Sequence, residues 1–185
     1  MGATIAFLDE SGFSLRPNVG RTWAPKGQTP IIHHRFNWKR LHAVGAISCK
    51  PGGTSPELHI QVQPHSTTSV STIAFLESLH KNIVGDVVLL WDGLPVHRGS
   101  AVAKYICDQK WLTVERFPAY APELNPVEYL WSSLKRKDLA NASPDTISDL
   151  DKRVHNAYSR VEKNSELLQG FLFASNLYDR SRDST

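Results

Sequence analysis

The chain has 185 residues, of which 41% are apolar and 21% charged, and its formal net charge is +3. This length suits one domain with a substantial core, and the composition is ordinary for a soluble globular protein. The sequence has no apolar stretch of about 18 residues and no signal-type N-terminus, so no membrane partner is predicted. Two widely separated cysteines, Cys49 and Cys107, indicate reduced thiols in a cytoplasmic protein.

Positive charge is concentrated in the N-terminal part of the chain. Residues 1–50 contain seven Lys or Arg and only two acidic residues, whereas the remaining 135 residues are close to balanced. A basic N-terminal third is compatible with a polyanionic partner such as nucleic acid. On charge alone, a solvated basic hairpin explains the pattern equally well.

The first half of the chain predicts strands. Apolar or alternating runs predict three of them, over residues 3–8, 40–48 and 57–63. Between the first two, residues 21–23 and 30–33 flank a Pro-Lys-Gly turn signal, which predicts a hairpin.

The second half of the chain alternates helices and strands. Helical spacing begins near Ser66, and the later elements are a central strand, a helix, a short strand and two further helices. Their predicted ranges are 86–91, 100–109, 111–115, a helix starting at 126, and 143–164. A polar tail from Arg180 is predicted to fray. The order of elements favours one α/β domain with a mixed sheet.

Three acidic residues lie at the ends of these predicted elements. Asp9 and Asp92 each follow an apolar strand directly, and Glu128 lies in the first turn of the helix that starts after Asn125. In open α/β sheets, functional groups gather at the carboxyl ends of strands. Carboxylate oxygens are preferred ligands of Mg²⁺, and two such ions can activate a water and stabilise the leaving oxygen in phosphodiester chemistry.

Taken singly, each of these acids also has a structural explanation. Asp9 could begin a turn, and Asp92 with Gly93 forms a good turn dipeptide. Glu128 stands three residues after Asn125, which is the spacing of a capping box.

Three segments resemble the catalytic domain of DDE transposases, in the mariner-like branch and its bacterial insertion-sequence relatives. They are residues 7–13, 91–97 and 121–135, and residues 20–27 carry a weaker likeness. The most specific features are the Pro-x-Leu-Asn-Pro-x-Glu-x-x-Trp segment and the 35 residues between Asp92 and Glu128. The resemblance covers about residues 3–140. It departs at Gly93, where relatives often carry Asn.

This resemblance implies a ribonuclease-H-like α/β fold, with a mixed five-stranded sheet flanked by helices, over residues 1–165. Residues 166–185 would form a C-terminal tail, and the N-terminal helix-turn-helix domain of full-length members is expected to be absent. Asp9, Asp92 and Glu128 would be the catalytic residues and would bind two Mg²⁺ (or Mn²⁺) ions. The implied partners are transposon ends and target DNA, bound by a homodimer.

The implied function is metal-dependent DNA cleavage and strand transfer during transposition of an insertion sequence. Two alternatives remain open at this point. One is a nuclease of the same fold that only hydrolyses DNA. The other is a catalytically inactive or truncated remnant that serves in DNA binding or assembly.

Basic and aromatic residues predict where DNA would be contacted. Arg35, Trp38, Lys39 and Arg40 lie in an interleaved basic and aromatic stretch, a composition that suits nucleic-acid contact. Three other candidates are nearer the acidic residues in the predicted fold: His97, Lys135 and Arg136. An exposed hairpin tip, a satisfied loop histidine and favourable charge at a helix end are the respective structural alternatives. Glu10 is predicted to point away from Asp9, in a supporting role.

Overall fold

The structure is a computed structural model, and it describes residues 2–35, 37–118 and 120–178. The tail predicted to fray from Arg180 lies outside these residues. Within them, no helix is both long enough and apolar enough to cross a bilayer.

A five-stranded mixed sheet forms the centre of the molecule, as predicted. Its strands are β1 (Thr4–Ser14), β2 (Arg40–Lys50), β3 (Thr54–Gln63), β4 (Val87–Trp91) and β5 (Leu112–Arg116). The strand order is β3-β2-β1-β4-β5. β1, β2 and β3 pair antiparallel, whereas β4 pairs parallel with both β1 and β5.

Helices cover both faces of this sheet. They are α1 (Ser69–Asn82), α2 (Ser100–Asp108), α3 (Pro126–Ser133), α4 (Ile147–Glu162) and α5 (Ser165–Ala174). A π-helical turn, Leu134–Asp138, continues α3. One core lies between the sheet and α1 and α2, and a larger core lies between the sheet and α3, α4 and α5.

The alternation of side chains along β1 decides which core each residue enters. Ala6 and Leu8 are buried in the core beside α1 and α2, whereas Phe7 and Phe13 are buried in the core beside α3 to α5. Because successive side chains of a strand point to opposite faces, Asp9 follows Phe7 toward α3 and the next residue turns toward α2. The prediction that Asp9 and its neighbour point to opposite sides is therefore confirmed.

The predicted hairpin between residues 21 and 33 is wrong. The described residues between Leu15 and Lys39 contain no strand, and every side chain from 21 to 30 is exposed. The turn itself exists, since the Gln28 amide donates to the Pro25 carbonyl at 3.0 Å. A strand is stabilised when one of its faces is buried, and the side chains on both sides of this turn are exposed. We call residues 15–39 the basic loop.

The base of the basic loop is fixed to the end of the π-helical turn. Asn18 forms a parallel bridge with Ala140, and the Asn141 amide donates to the Asn18 carbonyl at 2.8 Å. The Gly20 amide donates to Asn141 Oδ1 at 2.9 Å. Asn141 adopts a φ of 57°, a left-handed conformation that Asn tolerates better than most residues.

Two further predictions need correction at the C-terminal end. The last predicted helix, 143–164, begins later, at Ile147, because Thr146 caps it through a bond from the Asp149 amide at 3.1 Å. The boundary predicted at 165 coincides with the start of α5, which is a helix and not a tail. α5 buries Leu168 and Leu172 in the same core as α3 and α4. The apolar stretch of α5 is short and comes directly after the longer α4, so its pattern did not indicate a separate helix.

Candidate active site

Asp9 lies in the middle of β1 and not at its end, which corrects the sequence interpretation. β1 pairs with β4 only over Thr4–Phe7 and then continues along β2, so Asp9 emerges just beyond the end of β4. Its Oδ2 atom accepts a hydrogen bond from Trp131 Nε1 at 2.9 Å, and only 8% of the residue is exposed. Trp131 is a buried core residue, and its hydrogen bond also orients this carboxylate.

The surroundings of Asp9 strongly disfavour its charged form. Burial is the main cause, followed by the negative charges of Glu128 and Glu10, and together they raise the pKa of Asp9 to about 7. The hydrogen bond from Trp131 opposes this shift without cancelling it. A carboxylate held beside other carboxylates in this way is one that a bound cation would stabilise.

Gly45 of β2 makes the contact between Asp9 and Trp131 possible. It is the register partner of Asp9, and a Cβ atom added at Gly45 would lie 2.7 Å from the Trp131 ring.

We expect Gly45→Ala to push the ring away and to lower the free energy of unfolding by about 1–3 kcal/mol, as overpacking does. Urea unfolding measures this, and unchanged stability would show that the ring has room to move. Gly12→Ala is the matched control, since its nearest contact is at 4.0 Å.

Asp92 follows β4 directly, and one of its two oxygens is held by the protein. Oδ1 accepts hydrogen bonds from the Leu94 amide at 3.0 Å and from His97 Nδ1 at 3.0 Å. Burial alone would raise the pKa of Asp92, but these bonds outweigh it and hold the pKa below its usual value. About 40% of the side chain is exposed. Asp92 is therefore an ionised, partly open carboxylate.

Glu128 stands in the first turn of α3, with an exposed side chain. Asn125 caps this helix through a bond from the Val127 amide at 3.1 Å, and its Nδ2 atom donates to the Leu8 carbonyl at 3.4 Å. The N-terminus of α3 is thereby joined to β1. In a capping box the Asn125 amide would donate to Glu128, but here it donates to the Pro122 carbonyl at 3.0 Å. The capping-box explanation of Glu128 is therefore wrong.

The three predicted acids line one pocket at the carboxyl end of β4. The pocket has a volume of about 410 Å³. The described residues around the acids on its wall are Gly93, Arg116, Phe117, Pro118, Tyr120, Ala121, Pro122 and Asn125. The pocket thus brings together residues from β1, β4 and α3. Arg116, which ends β5 and supplies a positive charge at the rim, was missed because nothing in its local sequence distinguishes it.

The donor set of this pocket fits divalent cations that prefer oxygen ligands. It offers three carboxylates, one of them open and ionised and one whose pKa is raised by its acidic neighbours. Among the described residues, no set containing all three has its ligand atoms within 4.8 Å of one another. That spacing is wider than the shell of a single ion, and two ions about 3.5–4 Å apart require a wider ring of ligands.

His97 does not lie where a DNA contact would place it, which corrects that prediction. Its side chain has no exposed surface, and its Nε2 atom lies 2.8 Å from Glu10 Oε1. Its ring stacks on Trp91, with 4.0 Å between ring centroids and an interplanar angle of 1°. Burial alone would lower the pKa of His97, but the two carboxylates raise it to about 9. Both ring nitrogens are therefore occupied by protein partners.

The other residues predicted to contact DNA lie on or beside the basic loop. Lys39 and Arg40 are exposed where the loop enters β2, and Arg35 is an exposed partner of Asp145 at 3.7 Å. Trp38 is 58% exposed, with the Arg16 guanidinium 4.8 Å from its ring centroid.

Lys135 and Arg136 lie where α3 continues into the π-helical turn. Lys135 is half-buried and donates to Ser11 Oγ at 2.7 Å. Burial lowers its pKa, and the nearby charges of Glu128 and Asp9 partly oppose that shift. With Arg136 and with Arg21 of the basic loop it lines a groove of about 810 Å³. Lys135 therefore lines this groove and also lies near enough to Glu128 and Asp9 for their charges to act on it.

Comparisons with known proteins agree with this arrangement. The family described as "DDE superfamily endonuclease" matches residues 4–151. The chain is 23% identical over 159 residues to the "Insertion element IS630 uncharacterized 39 kDa protein" of Shigella sonnei, a match that covers 85% of this chain and 45% of that protein.

Solved structures of the Mos1 transposase are similar to this chain in fold. The "Mos1 mariner paired end complex with Mn" is 18% identical with a TM-score of 0.67, and the match covers 91% of this chain and 51% of that one. The "Mos1 Strand Transfer Complex" is 18% identical with a TM-score of 0.65, covering 91% and 50%. At this identity the likeness concerns the fold, and it confirms the predicted ribonuclease-H-like architecture. The chain spans about half the length of these relatives.

Proposed function

Because the chain belongs to the DDE superfamily endonuclease family, we propose that it is the catalytic part of an insertion-sequence transposase. Its reaction would be metal-dependent cleavage of a DNA strand followed by transfer of the freed 3′ end to target DNA. One observation carries this proposal. Asp9, Asp92 and Glu128 come from three separate elements and line a single open pocket.

In this proposal Asp9, Asp92 and Glu128 hold Mg²⁺ or Mn²⁺, as two ions. Bound ions supply an activated water or 3′-hydroxyl and neutralise charge on the leaving oxygen. The protein's own contribution is to fix the carboxylates before DNA arrives. Trp131 orients Asp9 by its hydrogen bond, and Asn125 ties the helix of Glu128 to β1. Such preorganisation is what phosphodiester cleavage needs most from a protein.

We propose that the groove lined by Arg21, Lys135 and Arg136 guides DNA away from the acidic pocket. Lys135 is near enough to Glu128 and Asp9 for their charges to act on its pKa. Phosphates of a strand whose scissile bond lies in the pocket would be neutralised along this groove. We propose that two copies act on paired element ends, in line with the "paired end complex" named for the Mos1 structure.

Lys39 and Arg40 test the proposed DNA contact of the basic loop. We expect the double variant Lys39→Gln/Arg40→Gln to bind DNA more weakly whatever the sequence, because phosphate contacts carry no sequence information. The slope of log affinity against log salt should fall by about two. Fluorescence anisotropy of a labelled duplex at several salt concentrations measures both quantities. Lys81→Gln/Lys110→Gln is the matched control, since both residues are exposed elsewhere; an equal loss in the control would remove the basic loop from the proposal.

A strand-joining assay tests the proposed function itself. The chain is incubated with Mn²⁺, supercoiled plasmid and a fluorescent duplex with free 3′-hydroxyl ends. We expect nicked plasmid and plasmid that carries the label, with neither product in EDTA. Glu128→Gln should lower both by about 10²-fold or more, because it removes one charged ligand worth several kcal/mol in the transition state.

Glu77→Gln is the control for this assay, since Glu77 is exposed on α1 and lies outside the pocket. Nicking without joining would replace the transposase proposal with a nuclease of the same fold. Products that persist in EDTA or in Glu128→Gln would contradict the pocket as the site of chemistry.

A further inference from the structure

A buried chain of three side chains reaches Asp92 from the face of the sheet opposite to Asp9. Glu10 Oε1 lies 2.8 Å from His97 Nε2, and His97 Nδ1 lies 3.0 Å from Asp92 Oδ1. These are hydrogen-bond lengths. The chain links Glu10 of β1 to His97, 87 positions later in the sequence, and through His97 to Asp92, which follows β4.

We propose that His97, backed by Glu10, is a positioning residue that sets the orientation of the Asp92 carboxylate. This inference rests on the proposed function, because it concerns how one of the proposed metal ligands is held. With Oδ1 engaged by His97 and by the Leu94 amide, Oδ2 is the oxygen left for a cation. Without these contacts to Oδ1, the Asp92 carboxylate could rotate about its Cβ–Cγ bond.

The imidazole is well suited to this role because its own orientation is fixed on three sides. Trp91 stacks flat against the ring, and the Asp92 carbonyl lies 3.2 Å from Nδ1. Glu10 holds the far nitrogen. Carboxylate oxygens accept hydrogen bonds, so each ring nitrogen can serve as a donor to the carboxylate beside it.

Glu10 is placed for this contact at a cost to folding. Its Oε2 atom is buried and has no hydrogen-bond partner among the described residues. A buried polar atom without a partner lowers stability. A side chain that lowers stability in this way is expected at a functional site, where its role offsets the loss in folding free energy.

The same three residues could be considered a metal site, since their ligand atoms lie within 4.8 Å of one another. The arrangement of the three side chains argues against a cation at this place. His97 stands between the two carboxylates and bonds to each, so a cation would have to break both bonds to reach them. The imidazole also has no exposed surface by which an ion could approach.

Two substitutions of His97 separate its two contacts. In His97→Asn the amide nitrogen lies near the position of Nδ1, so the contact to Asp92 is retained and that to Glu10 is lost. In His97→Gln it lies near the position of Nε2, so the contact to Glu10 is retained and that to Asp92 is lost. Glu10→Met removes the backing while preserving the volume of the side chain.

Mn²⁺ affinity without DNA, measured by electron paramagnetic resonance on the whole chain, is the readout. We expect His97→Gln to weaken binding about 10-fold or more, and His97→Asn to stay within about threefold of wild type, as for residues that orient metal ligands. Glu10→Met should weaken binding by a smaller factor while its stability to urea stays equal or rises. A merely structural role would not produce weaker binding in a protein of undiminished stability.

Asp92→Ala separates failure of this inference from failure of the proposed function. Loss of Mn²⁺ in Asp92→Ala, with wild-type affinity in His97→Gln and Glu10→Met, would overturn the positioning role and leave the metal site intact. Wild-type affinity in Asp92→Ala would overturn both. If His97→Gln does not fold, the Glu10→Met result decides in the same way.

Discussion

Asp92→Asn is expected to lower metal-dependent DNA cleavage by about 10³-fold or more while leaving the fold intact. Asparagine has the same shape, and its oxygen can still accept the hydrogen bonds that Leu94 and His97 donate. The variant loses the negative charge that faces the pocket. Loss of one charged ligand removes several kcal/mol of transition-state stabilisation, and each 1.36 kcal/mol is a factor of about ten in rate.

The measurement is the rate of plasmid nicking in Mn²⁺ and in Mg²⁺, with circular dichroism and urea unfolding as tests of the fold. Asp108→Asn makes the same chemical change at an exposed residue of α2 and should nick at the wild-type rate. Wild-type cleavage by Asp92→Asn would remove Asp92 from the mechanism. A large loss of stability in that variant would instead give Asp92 a structural role.

Asp9→Asn is expected to stabilise the metal-free protein at pH 8 and to flatten its pH dependence. The native pKa of Asp9 is about 7, against 3.8 for an ordinary aspartate, so the native state keeps a proton that the unfolded chain has lost. Stability from this group is fully present below pH 4 and falls as the pH rises to about 7. The loss is about 4 kcal/mol at most, from 1.36 kcal/mol for each unit of pKa.

Urea unfolding in EDTA from pH 4 to pH 8 measures this effect as the difference between wild type and variant. We expect the difference to grow in favour of Asp9→Asn across that interval and to level off above pH 7. Adding Mg²⁺ at pH 8 should shrink this difference, because a ligand at 100 times its Kd stabilises the wild type by about 2.7 kcal/mol and would bind the variant less tightly. A variant less stable than wild type at pH 8 in EDTA would contradict the repulsion between these carboxylates.

The acidic residues could be grouped from the sequence because each lies in or directly after a segment whose pattern is strong. The run before Asp92 is β-branched and apolar, and Glu128 follows a proline at the start of an amphipathic helix. What remained hidden was the length of β1. The polar residues after Asp9 suggest a turn, but β2 supplies a pairing partner as far as Ser14, so tertiary pairing overrides the local signal.

Contacts between distant residues account for the rest of what the sequence did not predict. The contact of His97 with Glu10 depends on how β1 and the segment after β4 lie in space, and no local spacing predicts it. Trp131 is a core residue by its helical spacing, yet the same ring donates to Asp9. The basic loop carries turn and strand signals but lacks a surface to bury, so its predicted hairpin did not form.

Anomalous diffraction from crystals of this chain soaked in Mn²⁺ tests directly whether Asp9, Asp92 and Glu128 bind metal ions in one pocket. We expect Mn²⁺ density in the pocket, bordered by carboxylate oxygens of Asp9, Asp92 and Glu128 at about 2.0–2.2 Å. Two peaks about 3.5–4 Å apart would match the two-ion proposal. An empty pocket at saturating Mn²⁺, or density only between Glu10 and His97, would contradict it.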